Sequence, residues 1–338
     1  MVPSAGNGGR AWTRVVLCVA AVLFGFVGAN IVYGVSVQPG AALVKYTFEA
    51  NPLVIPPDDF TTISSRVSEQ RVDNVAVPGV PDSSTVIFAP ENSAGSLPIV
   101  LWIHGGGFVS SSAQTIADYA IVLADRGFVV ASLDYTLAPG ARHPVPVEQG
   151  NAALSYLQSH AETLGGDESR IFIAGDSAGA QIASELAAVQ TNPALASAIG
   201  VEPAVHRDEV RGVVLFCGLY DMTTVGSTGF PALRTYLWAY TGHRDWTSYD
   251  DIGDLSTTET VTSEYPPTFL SVGDADPFSS QATELADALM TLAVPVTTLF
   301  WHGTSDGLGH EYQFKLNVPQ AQIAFDATVA FLEKEGSR

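Results

Sequence analysis

The sequence predicts an α/β fold in which a mostly parallel sheet is covered by helices on both faces. Short apolar runs that are typical of buried strands alternate with longer segments that have helical spacing. The chain has 338 residues, 46% hydrophobic and only 15% charged, so it can bury a sizeable core and is not expected to be disordered. Sites in such sheets form at the carboxyl ends of the strands, so the loops after the strands are the place to expect chemistry.

The alternation of predicted elements is regular from residue 99 to the C-terminus. The predicted strands are 72–77, 85–88, 99–103, 128–133, 170–174, 212–217, 268–272 and 296–301. The predicted helices are 113–126, 147–164, 178–189, 279–292 and 320–334. Residues 38–75, rich in proline, resemble a lid or an arm, and residues 219–266 are irregular and rich in aromatic residues and aspartate.

The charge balance excludes several classes of partner. The formal net charge is −20, from 35 acidic and 15 basic residues. Nucleic acid is not an expected partner, since no basic stripe is available to neutralise phosphates, and the domain surface is not suited to an anionic membrane. The two cysteines, Cys18 and Cys217, lie in apolar runs and are not expected to pair. No CxxC or HExxH spacing is present, so no metal site is predicted.

The N-terminus, residues 1–37, has the pattern of a membrane or export segment. Arg10 and Arg14 precede a nearly continuous apolar run over 15–37, and no acid lies among the first 14 residues. As a helix the run would span ~34 Å, enough for a hydrocarbon core of ~30 Å. Two interpretations stay open: an uncleaved anchor, or a signal peptide cut after Ala29. Either places the rest of the chain outside the cytoplasm, membrane-anchored or secreted.

A candidate nucleophile lies in the pentapeptide GDSAG at 175–179. Ser177 follows a predicted strand and precedes a predicted helix, with Gly175 and Gly179 on either side. Such a turn needs strained backbone angles, and flanking glycines remove Cβ clashes and expose the serine oxygen. The G-x-S-x-G pattern arises by chance in roughly one chain in four, so its strand–helix context carries the prediction. The alternative is that Ser177 is only a helix N-cap.

The tetrapeptide His104-Gly105-Gly106-Gly107 is the more specific signal. It follows the predicted strand 99–103, and chance would produce it in about one chain in two hundred. Glycines let the backbone approach a substrate and leave N–H groups free to stabilise an oxyanion. A phosphate-binding loop would instead need GxxxxGK or GxGxxG before a helix, and neither occurs.

The acid and the base should follow the serine, each after a late strand. Asp274 and Asp276 come after the strand 268–272, and we prefer Asp276 because it stands immediately before a proline. His302 and His310 come after the last strand, and we prefer His310 because its glycine-bounded loop can fold back over the sheet. The remaining histidines after the first motif are expected at the surface or in a lid: His143, His160, His206 and His243.

These motifs resemble the hormone-sensitive-lipase-like family of α/β hydrolases, from residue 99 to the C-terminus. The family's HGGG stands at 104–107, its DYRLAP at 134–139, its GDSAGG at 175–180 and its acid-bearing DP at 276–277. A late His-x-x-x-Phe segment stands at 310–314. Three features depart from the family pattern: Ala180 replaces the last glycine of GDSAGG, Thr136 replaces the arginine of DYRLAP, and the usual HGF is absent around His310.

The resemblance implies the roles of the site residues. It implies oxyanion donors from the backbones of Gly106, Gly107 and Ala178, and a triad of Ser177, Asp276 and His310, with no cofactor. The remaining motif residues, His104, Gly105, Gly175, Asp176 and Gly179, would support this site. It also implies one hydrolase domain over 38–338, with a cap formed by 38–75 and 219–266.

The expected activity is hydrolysis of small-molecule carboxylic esters through an acyl-enzyme, with short-to-medium acyl chains. Two alternatives stay open: hydrolysis of amide or peptide bonds, and an inactive ligand-binding homologue. Cap aromatics either line an acyl pocket or only pack the cap: Phe230, Tyr236, Trp238, Tyr240 and Trp246. The oligomeric state is not predicted.

Overall fold

A single eight-stranded sheet forms the centre of the computed structural model, which describes residues 34–74, 76–92 and 95–338. The strands are β1 Val67–Asp73, β2 Ser84–Pro90, β3 Leu97–Ile103, β4 Val129–Asp134, β5 Gly166–Asp176, β6 Val210–Phe216, β7 Thr268–Val272 and β8 Val296–Phe300. Their order is β1-β2-β4-β3-β5-β6-β7-β8. The first two pairings, β1 with β2 and β2 with β4, are antiparallel, and all pairings from β4 to β8 are parallel. The predicted mostly parallel sheet is confirmed.

Helices cover both faces of the sheet. Within the described residues they are α1 Gln38–Phe48, α2 Phe60–Ser64, α3 Ala117–Ala124, α4 Val145–His160, α5 Ala178–Thr191, α6 Pro193–Ile199, α7 Leu233–Thr241, α8 Thr257–Thr260, α9 Ser279–Thr291 and α10 Pro319–Gly336. Two large apolar clusters, one on each side of the sheet, form the core. Parallel sheets need this double cover because both strand faces are apolar.

Burial explains why the central strands were evident in the sequence. Residues 99–103 of β3 and 171–174 of β5 are fully buried, so both faces of these strands carry apolar side chains. The edge strand β1 is different, because its VSEQRVD sequence is mostly exposed. Its polar alternation gave a weaker signal, and the predicted strand 72–77 was displaced from the observed Val67–Asp73.

The two segments predicted to form a cap contain helices that pack on each other. In α1 and α7, the rings of Phe48 and Tyr236 lie with their centroids 6.2 Å apart. Gly40 of α1 faces Thr235 of α7, and a Cβ built on that glycine would lie 3.0 Å from the threonine methyl. Residues 67–73, however, were included in the segment 38–75 and belong to the sheet as β1.

The N-terminal segment 1–37 lies almost entirely outside the described residues. No helix among 34–74, 76–92 and 95–338 is long and apolar enough to cross a bilayer. Val37, at the end of the apolar run, is buried in the core and precedes α1 directly.

Candidate active site

A sharp turn between β5 and α5 carries Ser177. Its backbone angles, φ 51° and ψ −120°, are those of a strained position for a non-glycine residue. A Cβ on Gly175 would lie 2.5 Å from the carbonyl oxygen of Gly179, and one on Gly179 would lie 2.0 Å from that of Ile103. Both glycines are therefore required by close backbone approach. The Ser177 side chain makes no capping hydrogen bond to α5, so the N-cap alternative is not what the structure contains.

The side chains of Ser177, His310 and Asp276 form one hydrogen-bonded line. His310 Nε2 lies 2.8 Å from Ser177 Oγ, and His310 Nδ1 lies 3.0 Å from Asp276 Oδ2. The other Asp276 oxygen accepts the backbone N–H of Phe278 at 2.8 Å. The Asp276 side chain is fully buried, and 16% of the His310 side chain is exposed. This is the arrangement in which an oriented imidazole removes the proton of a serine hydroxyl.

The topology explains why residues so far apart in the chain meet. The candidate loops follow β3, β5, β7 and β8, and these strands run parallel within one sheet. Their carboxyl ends therefore lie along the same edge. β6 stands between β5 and β7, and Cys217, the residue after it, is brought to the same place.

The two rejected candidates occupy different positions. Asp274 accepts backbone N–H groups of Gly307 at 3.1 Å and Leu308 at 2.6 Å, so it fixes the loop that carries His310. Desolvation opposes ionisation of Asp274, but these N–H donors outweigh it and lower the pKa of the carboxyl. His302 is exposed, with its ring 5.4 Å from that of Phe300.

Backbone N–H groups in the glycine-rich turn are available to a substrate. Gly106 and Gly107 have positive φ, +100° and +60°. A Cβ on Gly107 would lie 2.6 Å from Tyr236 Cδ1, so a larger residue would displace α7. Within the described part of the chain, the N–H groups of Gly106, Gly107 and Ala178 have no hydrogen-bond partner. Ala178 also begins α5, whose N-terminal dipole favours negative charge.

Buried side chains hold this turn in place. Asp176 Oδ2 accepts the N–H of Gly105 at 2.8 Å, and Asp176 Oδ1 accepts Trp102 Nε1 at 2.8 Å. The Tyr135 hydroxyl donates to the carbonyl of His104 at 3.1 Å, and the two rings stack with centroids 4.4 Å apart. Burial lowers the pKa of His104 to about 4, so this histidine is neutral and supports the turn.

Burial and charge set the protonation of the candidate base. Burial disfavours the imidazolium of His310, but the Cys217 and Asp276 side chains beside it hold its pKa well above the usual value. Of these two groups Asp276 supplies the charge, because burial raises the pKa of the Cys217 thiol to about 12 and leaves the thiol neutral. The Cys217, Asp276 and His310 donor atoms lie within 4.8 Å of one another, but a protonated buried thiol is a poor metal ligand.

One histidine prediction was wrong. His143 is buried, and its Nε2 lies 2.6 Å from Glu185 Oε1 in α5 while its Nδ1 lies 3.0 Å from the Tyr249 hydroxyl. His160, His206 and His243 are exposed, as expected. The sequence did not reveal the pair, because the burial of Glu185 cannot be read from the sequence. The helix that carries it, α5, is buried throughout its length.

An apolar cavity of about 610 Å³ opens beside the triad. Leu43 and Phe48 of α1 line it together with Phe230, Tyr236 and His310. Two of the five cap aromatics thus face the cavity. Tyr240 instead is buried and stacks on Phe108, while Trp238 and Trp246 do not line the cavity.

Glu311 is a site residue that the sequence did not single out. It follows His310 directly, is 8% exposed, and has one carboxyl oxygen 3.9 Å from His310 Nε2. The sequence signal for Glu311 is its place in the His-x-x-x-Phe segment, directly after the candidate base.

Residues 100–310, well over half of the chain, match the family described as the alpha/beta hydrolase fold. The chain belongs to that family, in its hormone-sensitive-lipase-like esterase group.

Three named proteins illustrate the similarity. Carboxylesterase NlhH of Mycobacterium tuberculosis is 28% identical over 285 residues, 79% of this chain and 83% of that protein. An acetyl esterase of Salmonella schwarzengrund is 32% identical over 143 residues, 42% of this chain and 40% of that protein. The solved structure of a bacterial heroin esterase superposes with a TM-score of 0.70 at 25% identity, covering 86% of this chain and 90% of the other.

Proposed function

We propose that this carboxylic-ester hydrolase acts on short-to-medium acyl esters through an acyl-enzyme on Ser177. The observation that carries the proposal is the unbroken line from Asp276 through His310 to Ser177, next to free N–H donors. Each part has a chemical use in acyl transfer, and the parts lie together only because four separate loops meet at one sheet edge.

The first half of the proposed reaction forms the acyl-enzyme. His310 Nε2 accepts the hydroxyl proton as Ser177 Oγ attacks the ester carbonyl carbon. The carbonyl oxygen becomes an oxyanion that the N–H groups of Gly106, Gly107 and Ala178 stabilise. Losing one such donor typically costs ~3 kcal/mol of transition-state stabilisation. Asp276 keeps the ring oriented and stabilises the imidazolium.

The second half returns the enzyme to its starting state. The imidazolium of His310 protonates the departing alkoxide, and the alcohol leaves. A water molecule then gives a proton to His310 Nε2 as its oxygen attacks the acyl carbon, and the resulting intermediate collapses as His310 returns that proton to Ser177 Oγ and the free acid leaves.

The cavity supports an acyl group of limited length as the substrate. Its walls are mainly apolar, and Phe230 lies close to the base, its ring centroid 4.8 Å from that of His310. An acyl chain in this space would bury apolar area worth ~0.8 kcal/mol per methylene until the cavity is filled. The names of the similar proteins, carboxylesterase and acetyl esterase, also refer to carboxylic esters.

The two alternatives have weaker support. No feature of the site favours an amide over an ester leaving group. An inactive binding homologue would not need an intact relay, whereas here all three side chains are within hydrogen-bond distance.

We also propose that residues 1–37 either anchor the domain on the outer side of a membrane or direct its export. Support comes from Arg10, Arg14 and the apolar run 15–37. The intact mass and N-terminal sequence of the mature protein test this. A mature chain beginning at Asn30 indicates export, an intact chain recovered with membranes indicates an anchor, and an intact chain in the soluble fraction contradicts both.

A series of p-nitrophenyl esters tests the proposed substrate class. We expect kcat/KM to rise from acetate to butyrate or hexanoate and to fall beyond that, because the cavity is then full. A value that keeps rising to palmitate would contradict the preference for short-to-medium chains. Hydrolysis of anilides as fast as of matched esters would favour the amide alternative.

A further inference from the structure

Glu311 has a conformation and an environment that are both unfavourable for glutamate. Its φ is 58°, in the left-handed region, which is unfavourable for a non-glycine residue. Its side chain is only 9% exposed, although carboxylates are rarely buried without a partner. A glycine would relieve the backbone cost, so the glutamate side chain must make a compensating interaction.

That partner is Asp176. A Cβ built on Gly105 would lie 2.5 Å from Asp176 Oδ2 and 3.0 Å from Glu311 Oε1, so both carboxyl oxygens lie on the same side of Gly105. Asp176 is fully buried and already accepts the N–H groups of Gly105 and Trp102. Burial raises the pKa of both Asp176 and Glu311. The charge of Glu311 raises the pKa of Asp176 further, whereas a hydrogen bond with Asp176 opposes the rise in the pKa of Glu311. Two carboxylates this close cannot both be ionised at little cost.

The pair lies on the reactive side of the candidate base. Glu311 Oε1 is 3.9 Å from His310 Nε2, the nitrogen that faces Ser177. Asp276 contacts the opposite nitrogen at 3.0 Å. The imidazole therefore stands between two acidic groups, one on each side.

We propose that Glu311 is a positioning residue: it shares one proton with Asp176 and thereby joins the His310 loop to the Gly105 turn. The singly protonated pair keeps the base and the oxyanion donors at a fixed position relative to each other. It also places one negative charge near His310 Nε2. No proton leaves the pair during acyl transfer, because the proton of Ser177 goes to His310 and then to the leaving group. This role rests on the proposed function of the site.

Other groups around the pair affect the charge that it carries. His310 and Lys315 favour ionisation of Glu311, and Asp276 opposes it. Tyr236 from the cap and Cys217 after β6 are neutral, since burial raises the pKa of each to about 12. Because burial raises the pKa of both carboxyls, the pair should keep its one proton at neutral pH and lose it as the pH rises. The second negative charge would then force the His310 loop and the Gly105 turn apart.

Three variants test the proposal, read as kcat, KM and the rate at which a fluorophosphonate labels Ser177. Glu311→Gln should stay within about threefold of the parent at neutral pH, because its amide can donate to Asp176 without a shared proton. Glu311→Gly suits the backbone but removes the link, so kcat should fall roughly ten- to hundredfold with KM little changed. Ala293→Gly, an exposed position with φ 59°, controls for added backbone freedom and should match the parent.

The pH profile separates this role from a purely structural one. In the parent, kcat/KM and the labelling rate should fall on the alkaline side, and this fall should be absent from Glu311→Gln. The proposal is overturned if Glu311→Gly matches the parent, or if Glu311→Gln keeps the parental alkaline fall; the second result decides if the glycine variant does not fold. Labelling of the parent at Ser177 tests the proposed function separately, because the inference depends only on variant-to-parent ratios.

Discussion

The carboxylate of Asp274 accepts the backbone N–H of Leu308 at 2.6 Å, two residues before His310. Two acids that stand two positions apart after β7 therefore have different contacts. Asp276 contacts the imidazole ring itself, at 3.0 Å, while Asp274 fixes the loop that carries it. Proximity in sequence could not distinguish them, and their different contacts lead to the first prediction.

Asp276→Asn and Asp274→Asn should differ greatly in their effect on kcat. The first removes the group that orients and stabilises the imidazolium, a loss that costs about 10⁴-fold in a serine protease triad. The second leaves that contact intact and weakens backbone hydrogen bonds, so we expect a loss of about tenfold or less. Steady-state kinetics on p-nitrophenyl butyrate measure both. An Asp274→Asn defect as large as that of Asp276→Asn would reverse the assignment.

The pH dependence of kcat/KM should report His310. The ring must be neutral to accept the proton of Ser177, and Asp276 raises its pKa although burial opposes this. Activity is therefore expected to be lost as the pH falls through that raised pKa and to be complete above it, before any alkaline fall. Asp276→Asn should shift the acid limb to lower pH as well as lowering the plateau. An unchanged midpoint would mean that another group controls this limb.

Phe230→Ala should change acyl selectivity more than stability. The Phe230 ring stacks on Phe278 at 4.3 Å between centroids and lines the cavity beside His310. Removing it enlarges the cavity, so kcat/KM should fall for butyrate by roughly tenfold and move toward longer chains. Tyr46→Ala on α1, where the ring is 77% exposed and does not line the cavity, is the control. An equal shift in both variants would argue against this acyl site.

The buried pair of His143 and Glu185 should make stability depend on pH. Burial lowers the pKa of His143, but the Glu185 carboxylate at 2.6 Å outweighs this and raises it. A raised pKa stabilises the fold fully below the unfolded value of about 6.5, and this contribution is lost as the pH rises through the folded value.

Urea unfolding at two pH values measures this contribution. Glu185→Gln should cost ~2 kcal/mol near pH 6 and less near pH 9. Asp326→Asn breaks an exposed pair with Arg126 and should cost at most ~0.5 kcal/mol at either pH. A Glu185→Gln cost that is the same at both pH values would show that the pair is not ionised.

Much of the sheet could be predicted because its strands are buried on both faces. The strand 268–272 was predicted with its observed bounds, since a short, β-prone segment, TFLSV, ends there at a glycine. The helices α1 and α7 were harder to predict. They pack on each other and line the cavity, so their apolar spacing reflects neighbours that the sequence does not identify.

Some residues of the site could likewise be predicted from the sequence, and others could not. Ser177 and the glycine-rich turn could be located because local backbone geometry demands glycine at fixed positions. The Glu311–Asp176 contact and the His143–Glu185 pair join residues that are far apart in the chain, and the sequence does not distinguish a buried carboxylate from an exposed one. Such groups become evident only when burial and partners are known.

The most direct test of the proposed mechanism is the kcat of Ser177→Ala on p-nitrophenyl butyrate, measured beside the parent. We expect a loss of at least about 10⁴-fold, with KM and the unfolding midpoint close to the parental values and no labelling by a fluorophosphonate. Hydrolysis by Ser177→Ala at a rate near that of the parent would show that Ser177 is not the nucleophile and would contradict the proposed mechanism.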